Sequence, residues 1–276
     1  MEIIKKELQK ITDNLSQWDK PEIYSACLGL IDLTTLNTTD TPSKVGSMID
    51  KVNQFTAYYP KYPSVAAVCV YPNFAGIVKN KLNDASVNIA VVAGVFPSSQ
   101  SFLEIKIAEC KMAVEKGANE VDIVLALNHF LEADYEAASE EIRQIKKAIG
   151  KAHLKVILET GALKTPAQIA KASDLAIGAG ANFIKTSTGK MEPAATPEAA
   201  YVICESIKSY YKKSGNKVGF KAAGGIVTPE DAIFYYAIVD TILGDEWLNP
   251  ELFRLGTSRL ANNLLTKLEG KTVNYF

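Results

Sequence analysis

A chain of 276 residues with 47% hydrophobic and 22% charged positions has the means for a full core, and a formal charge of −1 leaves no basic excess for nucleic acid or an anionic membrane. The four cysteines, Cys27, Cys69, Cys110 and Cys204, have neither disulfide-framework nor metal-ligand spacing; with only His129 and His153 beside them, no catalytic zinc site is expected. No run reaches membrane-spanning length and the N-terminus lacks the apolar stretch of a signal peptide, so a cytoplasmic setting is expected.

The pattern predicts an N-terminal helix over about Glu2–Leu15. Short runs rich in Val, Ile and Leu, bounded by Gly, Pro, Asn or Thr, then predict buried parallel strands at Leu28–Leu33, Val65–Val70, Val87–Val92, Glu120–Leu125, Leu154–Leu158, Phe183–Lys185, Gly219–Lys221 and Leu252–Leu255. Helical patterns lie between them. Ser101–Lys116 carries Phe102, Ile105, Ala108 and Met112 as its apolar positions and ends at Gly117; Asp134–Ile149 runs from an acidic cap to Gly150. Thr165-Pro166 and Thr228-Pro229 each place an N-cap before a proline at the first helical position. Ile238–Pro250 reads as an extra helical insertion ahead of the eighth strand. No linker divides the chain. The expected architecture is one α/β domain over residues 1–276, a (β/α)8 TIM barrel with an N-terminal helix, and a doubly wound sheet is the alternative.

In a barrel, chemistry sits at the C-terminal ends of the strands. Two strands end there in lysine: Phe183-Ile184-Lys185 leads into Thr186-Ser187-Thr188-Gly189-Lys190, and Gly219-Phe220-Lys221 leads into Ala222-Ala223-Gly224-Gly225. Alternation points both amines inward, where partial burial and a neighbouring ammonium disfavour protonation and produce a reactive amine. The plainer possibility is a pair of structural ion pairs. Asp122, within an apolar strand, is a general acid/base or a countercharge to a lysine. Lys155 pairs with Glu159 or Asp122, or relays protons. Asp32 binds a substrate hydroxyl or caps the following turn, and Cys69 is core packing or a nucleophile. Thr34, Thr186 and Thr188 are further candidates for substrate contact. Gly224-Gly225 and Gly256-Thr257-Ser258, after the seventh and eighth strands, fit a phosphate loop, with Lys190 as added charge.

These segments resemble class I deoxyribose-phosphate aldolases. The resemblance rests on Ile31-Asp32-Leu33-Thr34-Thr35-Leu36, Val68-Cys69-Val70-Tyr71-Pro72, Glu120-Val121-Asp122-Ile123-Val124, Lys155-Val156-Ile157-Leu158-Glu159-Thr160 and the two lysine motifs, so it covers nearly the whole chain. It implies a TIM-barrel lyase that reversibly cleaves 2-deoxy-D-ribose 5-phosphate to D-glyceraldehyde 3-phosphate and acetaldehyde, without metal or other cofactor. By position, Lys185 corresponds to the Schiff-base lysine and Lys221 to the lysine that lowers its pKa. Asp122 corresponds to the acid/base residue acting through water, assisted by Lys155 and Asp32, and Gly224, Gly225, Gly256 and Ser258 to the phosphate loops. The expected partners are a phosphorylated sugar and small aldehydes, with no nucleic acid or membrane; a homodimer is compatible with this reading. Two departures stand out: Ser258 is followed by Arg259 where the family usually has a second serine, and Tyr275 is penultimate where some members end in a mobile tyrosine. The competing readings are another class I aldolase acting on a related sugar phosphate, and a sugar-phosphate-binding barrel without turnover.

Overall fold

The computed structural model describes residues 2–276, and its strands close into a parallel barrel in chain order, with the eighth paired to the first. They are β1 (Ile31–Thr34), β2 (Ala67–Val70), β3 (Asn88–Val92), β4 (Glu120–Val124), β5 (His153–Ile157), β6 (Phe183–Lys185), β7 (Gly219–Ala223) and β8 (Phe253–Thr257). Two helices precede the barrel, α1 (Glu2–Asp13) and α2 (Pro21–Gly29). The connections carry α3 (Pro42–Tyr58), α4 (Ala75–Lys81), α5 (Leu103–Glu115), α6 (Leu127–Leu131), α7 (Tyr135–Ile149), α8 (Pro166–Gly178), α9 (Pro197–Ser214) and α10 (Pro229–Leu243), and α11 (Leu260–Glu269) follows β8. Among the described residues no helix is long and apolar enough to cross a membrane.

The helix starts follow the sequence closely. Thr165 and Thr228 accept from the backbone N–H three residues on, each with proline next, and Thr41 and Thr196 repeat the device at α3 and α9. Thr-Pro thus opens four of the outer helices and sets where each leaves the barrel mouth.

Three expectations fail. Leu28 and Gly29 belong to α2, not to the first strand, because a short buried apolar run has no period that separates helix from strand. The helical stretch from Ile238 is the end of α10, and only the 3₁₀ turn Asp245–Trp247 is added before β8. On α5 the expected inner face points outward: Phe102 is 78% exposed and Met112 57%. The inner face instead carries Cys110, Ala113 and the stem of Lys106, whose ammonium reaches Glu141 of α7 at 2.7 Å.

The main core lies between sheet and helices. Inside the barrel a small apolar cluster of Leu36, Ala67, Cys69, Ala90 and Val92 occupies the β1–β3 side. The remaining interior is mainly charged, with the ring of Phe183 among the charged side chains.

Candidate active site

Strand register places Lys155 opposite Asp122, Lys221 opposite Lys185, and Arg254 opposite Lys221. Inward-facing positions recur every second residue along each strand, so these side chains meet inside the barrel with Asp32 of β1 and Glu120 of β4. Seven buried charged groups result, joined by ion pairs into one network of four cations and three carboxylates.

Asp122 is the hub. Its Oδ2 accepts from Lys185 Nζ and from Lys221 Nζ, each at 2.8 Å, while its buried Oδ1 has no hydrogen-bond partner. Lys221 also bonds Asp32 Oδ2. Lys155 bonds Glu120, with Asp122 Oδ1 at 3.4 Å and Asp32 Oδ2 at 3.5 Å. Arg254 closes the network from the floor, giving Nη1 to Asp32 Oδ1 at 2.7 Å and Nη2 to Glu120 Oε1 at 2.8 Å.

The protonation states follow from these pairings. Burial alone would raise Asp122, but Lys185, Lys221 and Lys155 outweigh it and hold the carboxyl well below its ordinary range. Asp32 and Glu120 are lowered in the same way, against burial, by their lysine and arginine partners. Burial would lower Lys155 and Lys221, yet their carboxylates win and both ammonium forms are favoured. Lys185 goes the other way. Burial, with Lys221 beside it, outweighs its one carboxylate and pushes the amine below the ordinary lysine value.

Above the network opens a cavity of about 230 Å³. Lys185 is the one cation of the network that lines it. Thr34, Asn37, Thr188, Lys190, Thr257, Ser258 and Arg259 supply further polar side chains to the rim, with Gly224, Gly225 and Gly256 between them. Gly224 and Gly225 take φ of +88° and +80°, a conformation that suits glycine and folds the β7 loop back over the mouth. At Gly256 a Cβ would lie 3.0 Å from Lys221 Cε and 2.9 Å from Ala223 Cβ, so its absence leaves Lys221 its path. Lys190 Nζ reaches across to the Leu36 carbonyl at 2.7 Å. Arg259 stands at the start of α11 with no carboxylate paired to it among the described residues, leaving a free cation on the rim.

Other sequence candidates lie away from the cavity, some on the plainer of their two readings. Asp32 neither caps a turn nor faces the cavity, being fully buried and held by Lys221 and Arg254. Of the two partners expected for Lys155, Asp122 lies within ion-pair reach at 3.4 Å, but the hydrogen bond goes to Glu120, and Glu159 is excluded because its carboxylate is taken by the N–H and hydroxyl of Thr188. Cys69 is fully buried in the apolar cluster, where burial raises its thiol pKa, and it does not line the cavity. Thr186 ties β6 to β7 through Ala223 and is likewise away from the cavity. Tyr275 packs on Phe55 and Tyr59 and donates to the Lys51 carbonyl at 2.7 Å. Arg254 and Glu120 went unmarked in the sequence. Their signal was present: Arg254 interrupts Phe253 and Leu255 in a buried strand, as Lys185 and Lys221 interrupt theirs.

Comparison with known proteins came to the same barrel. The profile of the DeoC/LacD family aldolases matches residues 27–244. The deoxyribose-phosphate aldolase of Homo sapiens is 42% identical over 266 residues, covering 90% of this chain and 81% of its own. A Caenorhabditis elegans protein provisionally named for the same activity is 47% identical over 243 residues, covering 86% and 79%. Among solved structures, the deoxyribose phosphate aldolase of Aeropyrum pernix, a tetramer, superposes with a TM-score of 0.69 at 26% identity, covering 94% of this chain and 96% of that one.

Proposed function

The chain belongs to the DeoC/LacD family of aldolases, and we infer that it is a lyase that reversibly cleaves 2-deoxy-D-ribose 5-phosphate to D-glyceraldehyde 3-phosphate and acetaldehyde through an imine on Lys185. One observation carries the choice of lysine: of the four cations in the barrel network, Lys185 alone borders the cavity, and its amine is the one that burial and a neighbouring ammonium push toward the neutral form.

The neutral amine adds to the aldehyde carbon of the open-chain sugar, and loss of water leaves an iminium. The iminium draws in the electron pair as the C2–C3 bond breaks and the C3 hydroxyl gives up its proton. Glyceraldehyde 3-phosphate departs; the enamine is protonated at C2, and hydrolysis of the resulting imine releases acetaldehyde and frees Lys185. Asp122 is held as a carboxylate and Lys221 as an ammonium, so Lys221 stores the proton and Asp122 passes it on, with Oδ1 free to hold a water. Lys155 and Asp32 keep these two groups in place. Arg259 and the backbone at Gly224, Gly225, Gly256 and Ser258 receive the phosphate, with Lys190, tethered to Leu36, adding positive charge to the rim, and Thr34 and Thr188 line the path between.

The test is covalent trapping. Incubation with acetaldehyde and borohydride adds mass to the peptide that contains Lys185; label on Lys221 or Lys155 would overturn the assignment. A panel of aldehyde acceptors then separates this activity from a related sugar-phosphate aldolase. A cytoplasmic setting accords with four free, buried cysteines. A homodimer accords with the outward apolar side chains Phe102, Ile105 and Met112 on α5, and sedimentation checks it.

A further inference from the structure

The buried network holds one cation too many. Lys155, Lys185, Lys221 and Arg254 face Asp32, Glu120 and Asp122. A buried charge without a partner is costly, so one of the four tends to give up its proton. Arginine does not do so inside a protein. Lys155 reaches three carboxylates and Lys221 two, whereas Lys185 touches Asp122 alone.

Arg254 is the member remote from the chemistry. It is 1% exposed and does not line the cavity. All three of its guanidinium nitrogens are bonded: Nε to the Pro250 carbonyl, Nη1 to Asp32 and to Glu120 Oε2 at 3.2 Å, and Nη2 to Glu120 Oε1. The ring of Phe183 covers it at 5.7 Å. Such an arginine, with four of its five N–H donors engaged and no face on the cavity, does not reach substrate.

Building on the imine reading of Lys185, we propose that Arg254 and Glu120 are a positioning pair for the reaction: Arg254 is the fixed cation that completes the charge balance without Lys185, leaving Lys185 the surplus amine, and Glu120 anchors Arg254 and Lys155 at the floor. Lys185 is faced by Asp122 from β4, Lys221 from β7 and Cys69 from β2, with Lys190 and Arg259 on the cavity rim. Glu159, at the end of β5, is engaged by Thr188. Arg254 is faced by Asp32 from β1 and Glu120 from β4, and exposed His153 stands near Glu120 at the start of β5.

The experiment is the pH dependence of borohydride trapping of acetaldehyde on the Lys185 peptide, read by mass. In Arg254→Met, three lysines balance three carboxylates only if Lys185 keeps its proton. The trapping midpoint moves up by about one pH unit, a roughly tenfold loss near neutral pH. In Glu120→Gln the cation surplus grows, and the midpoint moves down. The double variant returns toward the parent, and Arg254→Lys restores the parental midpoint because it restores the charge. A merely structural pair would lower the yield of folded, active protein without opposed shifts. Shifts of the same sign in Arg254→Met and Glu120→Gln, or no shift in either, overturn the proposal. Should Arg254→Met fail to fold, Glu120→Gln decides: an unmoved or raised midpoint overturns the pair, a lowered one sustains it. Absence of label on Lys185 in the parent protein is a separate outcome, which removes the imine assignment itself.

Discussion

Lys185 and Lys221 share a single oxygen of Asp122, so each feels the other's charge at close range, in surroundings where water screens little. From sequence, the strand ends were expected to face a solvated mouth with incomplete burial; instead Lys221 is 0% exposed and Lys185 4%. That changes how a substitution at Lys221 reads. Lys221→Leu removes a unit charge from beside Lys185, and since the site is already dry, the new side chain adds little further desolvation. Loss of the charge therefore dominates, and the Lys185 pKa rises. The ascending limb of kcat/KM against pH moves upward by about one to two units, with about tenfold less neutral amine per unit near neutral pH. Lys185→Leu traps no imine at any pH. An unmoved limb in Lys221→Leu would assign Lys221 to proton transfer or substrate contact alone.

At the scale of strands and loops, the cavity rim is built by the βα connections of β1, β6, β7 and β8, and the two cations those loops bring to it, Lys190 and Arg259, come from different loops. Lys190 is tethered to the Leu36 carbonyl, whereas Arg259 has no partner, so Arg259 is the cation available to a phosphate. Arg259→Leu raises KM for the phosphorylated sugar about tenfold, as expected for losing one charge-assisted contact, and leaves cleavage of unphosphorylated deoxyribose nearly unchanged. Equal loss on both substrates would place Arg259 outside phosphate binding. These loops were legible in the sequence because glycine pairs and Thr-Pro junctions have local causes. Seven of the eight strands were legible for a similar reason, their apolar runs being bounded by breakers, and the first was only extended backward into α2. What lay beyond reach was partnership: Lys155 with Glu120 and Glu159 with Thr188 depend on register between strands, which no local pattern states. Arg254 shows the same limit from another side, since its residue type was visible and its role follows only from counting charges across six strands.

Across the whole molecule, the barrel interior divides into an apolar side along β1–β3 and a charged side whose balance excludes one amine. Keeping that amine neutral costs stability, because an unfolded Lys185 binds a proton that the folded one resists. The folded pKa lies below the unfolded value, so between the two the unfolded chain holds more protons and stability climbs with pH. The penalty is full below the folded pKa and fades as pH rises toward about 10.4, the unfolded lysine value. Lys185→Met removes the titrating group, leaves three cations on three carboxylates and fills the space with an apolar chain of similar length. The variant is inactive but more stable at neutral pH, by about 1 kcal/mol or 2–4 °C in melting temperature, the direction expected when a strained catalytic group is removed. Part of the gain is burial of the methionine and does not change with pH. The discriminating quantity is therefore the difference from the parent across pH, measured at one scan rate between about pH 7 and 10. It shrinks as pH rises. A difference that stays constant would reduce the effect to packing, and one that grows with pH would mean that Lys185 is held as an ammonium in the folded barrel, against the imine mechanism.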